Sequence, residues 1–182
     1  STNYKSLMDF GCGELTNFNT LIDNIKTKNK FFVAYDLSFS RILIGNKFLK
    51  KKKKKIQLKL FSNNSIRIPL PDNSIDIVTS CHALESNKKN ANKILKELWR
   101  ISKKKLILLE PNNLLGDKLT KQRHNEHNYI VDVEKKIKKI TLRYKIVKNK
   151  FNFNPLNPAS IFILEKNSNK NNKFNFLNPK NN

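Results

Sequence analysis

Asp9, Gly11 and Gly13 stand where one apolar run ends, and Asp36 ends a second apolar run about two dozen residues later. A carboxylate at such a strand end can accept hydrogen bonds from a pair of ribose hydroxyls. Glycines in the turn after the first run let the backbone turn tightly and approach a ligand. The segments read Leu7-Met8-Asp9-Phe10-Gly11-Cys12-Gly13 and Phe31-Phe32-Val33-Ala34-Tyr35-Asp36, with a helical stretch between them. This is the pattern of a first βαβ unit in a nucleotide-binding α/β fold. A dinucleotide site wants a third glycine in the order Gly-x-Gly-x-x-Gly, and Thr16 stands there instead, so a nicotinamide-dependent oxidoreductase is the least favoured reading.

The elements that must position these residues follow from hydrophobic periodicity. Strands are expected near 6–10, 31–36, 56–61, 75–80, 105–110, 140–151 and 160–166, and helices near 15–27, 38–50, 89–102 and 125–139. Strands alternating with helices predict an α/β fold: a Rossmann-like, doubly wound and mostly parallel seven-stranded sheet. The last two strands lack a helix between them, which predicts an antiparallel pair at a sheet edge. With 182 residues, 38% of them hydrophobic, the chain suits one domain over residues 1–166. Residues 167–182 are mostly Asn, Lys, Ser and Pro and are expected to be a disordered tail.

Further along, the sequence reads Ile68-Pro69-Leu70-Pro71-Asp72-Asn73-Ser74-Ile75-Asp76-Ile77-Val78 and then His82-Ala83-Leu84-Glu85. Glu97-Leu98-Trp99-Arg100 and Glu110-Pro111-Asn112 follow in order. With that ordered set, residues 5 to 166 resemble the class I S-adenosylmethionine-dependent methyltransferases, and within them the type 11 group of small-molecule methylators. One subgroup is similar also in Gly13-Glu14-Leu15-Thr16-Asn17, in Asp36 to Ile42, in Arg123 to Tyr129 and in Asn154-Pro155-Leu156-Asn157-Pro158. Leu15 departs from the third glycine that many members carry. The family usually has a helix before the first strand, so the chain is expected to be trimmed, processed or a fragment.

The resemblance implies a cofactor site for S-adenosyl-L-methionine. Asp9, Gly11, Cys12 and Gly13 would form the floor under its methionine part, with Asp9 or Glu14 meeting the ammonium group. Asp36 and Leu37 would take the ribose side, Asn64 the adenine amino group, and Ser80 would close the site. Methyl transfer asks the protein to align an acceptor and, where needed, to remove a proton. His82, at a strand's C-terminal end, and His127, after the fifth strand, are the candidate catalytic bases, because imidazole titrates near neutrality. Glu85, Glu110, Arg123 and Tyr129 are candidate substrate contacts, with Glu85 and Glu110 also carboxylate alternatives to the histidines. His124 is expected to face solvent, Trp99 to lie in the core, and Glu97 and Arg100 to serve as scaffold contacts.

The formal net charge of +23 raises the question of an acidic partner. Only five of the 37 basic residues are arginine, the better fork for phosphates and base edges, and the lysines spread along the whole chain. Compositional bias accounts for that, so nucleic acid is the lesser partner. Two cysteines, Cys12 and Cys81, make no disulfide framework, and no Cys/His spacing suits a metal. No apolar run approaches the length of a membrane span and no signal peptide is visible, which points to a cytoplasmic protein. The expected function is methyl transfer to a small-molecule or saccharide-like acceptor, at oxygen. The alternatives are an RNA-modifying methyltransferase and a non-catalytic binding module on the same fold.

Overall fold

The computed structural model describes residues 3–26, 28–51, 56–63, 66–130, 132–148 and 157–166. Asn64 and the tail from 167 to 182 lie outside them. Seven strands form one sheet: β1 (Ser6–Phe10), β2 (Phe31–Asp36), β3 (Gln57–Ser62), β4 (Ile75–Cys81), β5 (Ser102–Pro111), β6 (Tyr144–Lys148) and β7 (Ala159–Glu165). Their order is β3-β2-β1-β4-β5-β7-β6. β1 pairs in parallel with β2 and β4, β2 with β3, and β4 with β5. β7 runs antiparallel to both β5 and β6, the expected ending for strands with no crossover helix between them.

Successive side chains of a strand point to opposite faces, and here both faces are apolar, so each strand feeds two cores. Leu7, Phe32, Ala34 and Ile77 pack with Phe18 and Ile22 of α1 (Thr16–Asp23) and Ile42 and Leu49 of α2 (Phe39–Lys51). Their neighbours Met8, Val33, Tyr35 and Val78 pack on the other face. There they meet Leu95 and Leu98 of α3 (Ala91–Ile101) and Val133 and Ile137 of α5 (Val133–Lys138). Each large apolar side chain so buried contributes about 1.5–3 kcal/mol. Trp99 packs against the second core as expected, while Glu97 and Arg100 tie α3 to the proline loop before β4. Glu97 Oε1 accepts from Ile68 N at 2.7 Å, and Arg100 donates to Asp72 at 2.6 Å and Glu97 at 2.6 Å.

Several boundaries differ from the expected ones, among them the start of β5, at Ser102 rather than 105. α1 starts one residue late and ends at Asp23 rather than at 27. The helix expected over 125–139 is two helices, α4 (Lys118–Glu126) and α5. Asp117 caps α4, its side chain accepting from Thr120 N at 2.8 Å, and Asn128 at φ 52° breaks the helical path after it. β6 begins at Tyr144 rather than 140 because the chain closes α5 first, with Thr141 N donating to Ile137 O at 3.0 Å. No helix among the described residues is long and apolar enough to cross a membrane.

A buried carboxyl joins β4 to β5. Glu110 is fully buried; its Oε1 accepts from Ser80 Oγ at 3.0 Å and from Leu84 N at 3.2 Å, and its Oε2 has no partner. Burial pushes its carboxyl up to about 7, against the pull of those two donors. Ser80, expected to close the cofactor site, and Glu110, expected at the substrate, are instead buried, hydrogen-bonded to each other across neighbouring strands, and absent from the cleft lining. The folded state keeps this proton where the unfolded chain, with an ordinary carboxyl near 4.5, has released it. Its stabilising share is therefore full below pH 4.5 and lost as pH rises toward 7. In chemical denaturation, the parent is expected to lose on the order of 3 kcal/mol from this group across that window. Glu110→Gln should flatten that part of the profile, and an unchanged slope in the variant would show that Glu110 holds no such proton.

Candidate functional site

The turn after β1 is stapled to the end of β2. Gly11 N and Cys12 N both donate to Tyr35 O, at 2.7 and 3.1 Å, and Gly13 N donates to Asp36 Oδ2 at 2.8 Å. The other oxygen of Asp36 accepts from Ser38 N at 2.8 Å, at the entry to α2. Gly11 and Gly13 have φ of 71° and 51°, where a Cβ is strained. A Cβ on Gly11 would also overlap that of Ala83, and one on Gly13 would stand 2.6 Å from Arg41 Nη2. Gly11 is thus required by packing as well as by its dihedral, while at Gly13, where the exposed end of Arg41 can move aside, the dihedral is the constraint.

Leu15 departs from glycine yet keeps a glycine-like backbone, with φ 62° at the start of α1. A left-handed conformation costs an ordinary residue roughly 1–2 kcal/mol. Leu15 is fully buried in the core beside Phe18 and Ile42, which offsets that cost. The turn is therefore formed without the third glycine.

A cleft of about 670 Å³ opens over this turn at the C-terminal ends of β1, β2 and β4. The strand order reverses between β1 and β4, which is where open α/β sheets bind ligands. Gly11, Cys12, Gly13, Asp36, Leu37 and His82 all line it, as their expected roles require. Asp9 does not; it is buried under the turn and accepts from Thr79 Oγ1 at 2.9 Å. Burial pushes its carboxyl up to about 6, the Thr79 hydrogen bond opposing and the nearby Asp36 adding to the rise. Asn64 lies outside the described residues, but its neighbour Asn63 lines the cleft. Both thiols are pushed up by burial, Cys81 to about 11, so neither is a nucleophile near neutral pH.

His82 sits just after β4 with φ 53°, its backbone N donating to Leu109 O at 2.9 Å. Its Nδ1 lies 2.8 Å from Glu85 Oε2. That hydrogen bond raises the imidazole pKa above 6.5, more than burial lowers it. On Glu85 burial works upward, and the hydrogen bonds from His82 and Asn157 outweigh it and hold the carboxyl below its usual range. Asn157 Nδ2 donates to Glu85 Oε2 at 3.1 Å, and Asn157 Oδ1 lies 3.0 Å from His124 Nε2. His124 Nδ1 in turn lies 2.8 Å from Asn113 Oδ1.

His124 is the clearest correction to the sequence reading: it is fully buried rather than facing solvent, and it belongs to this polar chain. His127 is exposed, stacked on Tyr129 with ring centroids 5.3 Å apart, and lies outside the cleft wall together with Arg123. These three gather at the end of α4, which reaches the His82 turn through Ile130 N donating to Glu85 O at 3.0 Å. Arg41 is the residue missed among the candidates. It lines the cleft and makes a two-pronged pair with Glu14, at 2.7 Å for each prong, which holds the Glu14 carboxyl down at about 2. Its place five residues after Asp36, one turn into a helix, was the available signal. Among the described residues, no cluster of three or more His, Cys, Asp or Glu could hold a metal ion.

The fold is that of known methyltransferases. It is similar to a SAM-dependent methyltransferase from Aquifex aeolicus, with a TM-score of 0.68 and 16% identity, over 87% of this chain and 81% of that one. It is similar also to magnesium protoporphyrin IX methyltransferase from Synechocystis with bound S-adenosylhomocysteine, with a TM-score of 0.66 and 13% identity, over 88% and 74%. A small RNA methyltransferase gives a TM-score of 0.67 at 16% identity, over 92% of this chain and 24% of that one. A sequence search finds no match among curated proteins. Residues 8–109 match the family model described as a methyltransferase domain, more than half of the chain; the match runs from within β1 to within β5 and includes Asp36 and His82. The chain belongs to that methyltransferase-domain family, with the class I fold of S-adenosylmethionine-dependent enzymes.

Proposed function

We propose that the chain transfers a methyl group to a hydroxyl of a small, saccharide-like acceptor, with His82 as the base. The observation that carries this reading is the His82–Glu85 pair at the cleft wall. Glu85 engages Nδ1, which leaves Nε2 as the ring nitrogen available to a hydroxyl proton. An acceptor oxygen bears a proton that must leave, and an imidazole backed by a carboxylate takes it.

The residues of the cleft fit S-adenosylmethionine. Each Asp36 oxygen accepts one backbone N–H, and a carboxylate oxygen has two lone pairs, so both retain capacity for a ribose hydroxyl. Leu37 and Ile66 give apolar walls for a flat base, beside the amide of Asn63. Arg41 and Glu14, next to Gly13, offer opposite charges that match a zwitterionic amino-acid end. When bound, the cofactor supplies an electrophilic methyl on a sulfonium, so the chain has only to orient the acceptor, exclude water and hold its proton.

The acceptor side is polar and almost uncharged. Ser86, Asn87 and Asn90 line the cleft beside His82, groups that hydrogen-bond hydroxyls. Arg41 is the one Lys or Arg among the described cleft-lining residues, and Glu14 already engages it. The lysine excess lies elsewhere, which favours a hydroxyl-rich small molecule over a phosphodiester chain.

Two outcomes test this. In calorimetric titration the parent should bind S-adenosylmethionine and S-adenosylhomocysteine, and Asp36→Asn should weaken both by roughly tenfold or more. Equal affinities would remove Asp36 from the site. With a panel of mono- and disaccharides as acceptors, His82→Gln should bind the cofactor as the parent does but turn over roughly 10²–10⁴-fold more slowly. The parent's kcat/KM should rise with pH through a group titrating above 6.5, and that limb should vanish in the variant. A variant with parental turnover would exclude His82 as the base, and methyl incorporation into RNA but not into the saccharides would favour the RNA reading.

A further inference from the structure

The inward face of α2 is set by Ile42, Gly45 and Leu49, all buried, at the three- and four-residue spacing of one helix face. Its outward face is also apolar. Phe39, Leu43, Ile44 and Phe48, with Leu37 just before the helix, are between 43% and 67% exposed. Single exposed apolar residues are ordinary, but five large ones within twelve residues make a patch. Exposed Arg41, Lys47 and Lys50 stand among them. From Leu37 to Pro71 the sequence has ten Lys and Arg and no Asp or Glu, although the chain holds 14 acidic residues. Lysine is common everywhere in this chain, and residues 135–164 are likewise free of acid; what is particular to this stretch is that its lysines stand on the exposed apolar face of a helix.

We propose that this face of α2 seats on an anionic lipid surface. Its large apolar residues would enter the boundary between headgroups and acyl chains, and Lys47 and Lys50 would meet the acidic headgroups. A helix that combines Phe, Leu and Ile with lysines is suited to lie in the plane of such an interface. At 13 residues it is too short to span a bilayer. A second copy of the chain fits less well, because a two-fold interface would press the same lysines against one another. Nucleic acid would neutralise the lysines but leave Leu43 and Ile44 in water, since bases stack on aromatic rings and not on branched alkyl chains. Leu37 also lines the cleft, so the seated face lies beside the cleft mouth.

The test is flotation of the full chain with vesicles of phosphatidylcholine alone and of equal parts phosphatidylcholine and phosphatidylserine. Binding to the mixed vesicles and not to the neutral ones is expected. Lys47→Gln/Lys50→Gln should weaken it by roughly 25-fold, and Leu43→Ser/Phe48→Ser by roughly tenfold or more. Both pairs are exposed, so each variant should melt at the parent's temperature and bind S-adenosylmethionine as the parent does. Should the serine variant fail to fold, the glutamine variant decides. Equal binding to both vesicle types, or parental binding by a folded variant, would overturn the proposal. So would a concentration-dependent dimer that Phe48→Ser dissolves, which would assign the face to a second copy, or RNA binding tighter than vesicle binding and lost in both variants.

Discussion

One carboxylate holds the functional edge of this molecule together. Asp36 accepts from Gly13 N on one side and from Ser38 N on the other, so a single side chain fixes the turn after β1 and the entry to α2. It is buried, and both its protein partners are backbone donors, which fix direction without a competing side-chain rotamer. The Gly11–Cys12 amides are committed to Tyr35 O, so the turn presents carbonyls, Cα surface and one carboxylate to the cleft instead of a nest of free N–H groups. A phosphate-binding loop needs such free N–H groups, and their engagement here separates this turn from the loops that its glycines superficially suggest.

The opposite wall depends on a strained histidine held in place from behind. His82 adopts a left-handed backbone that an ordinary residue keeps only when its surroundings insist on it. Leu109 O takes its N–H, Glu85 takes its Nδ1, and Asn157 from the segment before β7 takes Glu85. Glu85 can only accept, so Asn157 must donate to it through Nδ2 and turn its carbonyl to His124. His124 therefore donates from Nε2 to Asn157, so the orientation of Asn157 and the role of that ring nitrogen follow from one carboxylate. Burial makes this costly to break at any link, since each group left unpaired would lose its partner without gaining water.

What the sequence made legible was local. The turn glycines, Asp36 and His82 lie at strand ends, and strand ends are marked by where an apolar run stops. The order of strands and helices could be read for the same reason, because both cores are written in adjacent residues such as Leu7 and Met8 or Phe32 and Val33. The failures at His124 and Glu110 were at a distance. His124 is buried because Asn113 and Asn157, 11 and 33 residues away, converge on it, and nothing in the polar stretch around Arg123 to Tyr129 announces that. Glu110 looked like an available carboxylate at a strand end, but β4 places Ser80 against it. The break between α4 and α5 turned on one asparagine in a left-handed conformation, in a lysine-rich segment whose periodicity continued through it.

Helix α2 shows how one short segment serves two constraints that share no residues. Its inward positions must be small or branched, and Gly45 shows how tightly: a Cβ there would stand 2.5 Å from Glu14 O, so the helix presses on the same turn that Asp36 holds. Arg41 projects from its first turn to cover Gly13 and engage Glu14, placing a cation at the cleft by the geometry of the helix alone. None of this requires Phe39, Leu43, Ile44 or Phe48 to be apolar, since polar residues there would leave the inner face and the turn unchanged. Folding and the cleft therefore account for one half of the helix surface. Among the described residues nothing covers the exposed apolar half, and an anionic lipid surface would meet both its hydrocarbon and the lysines beside it.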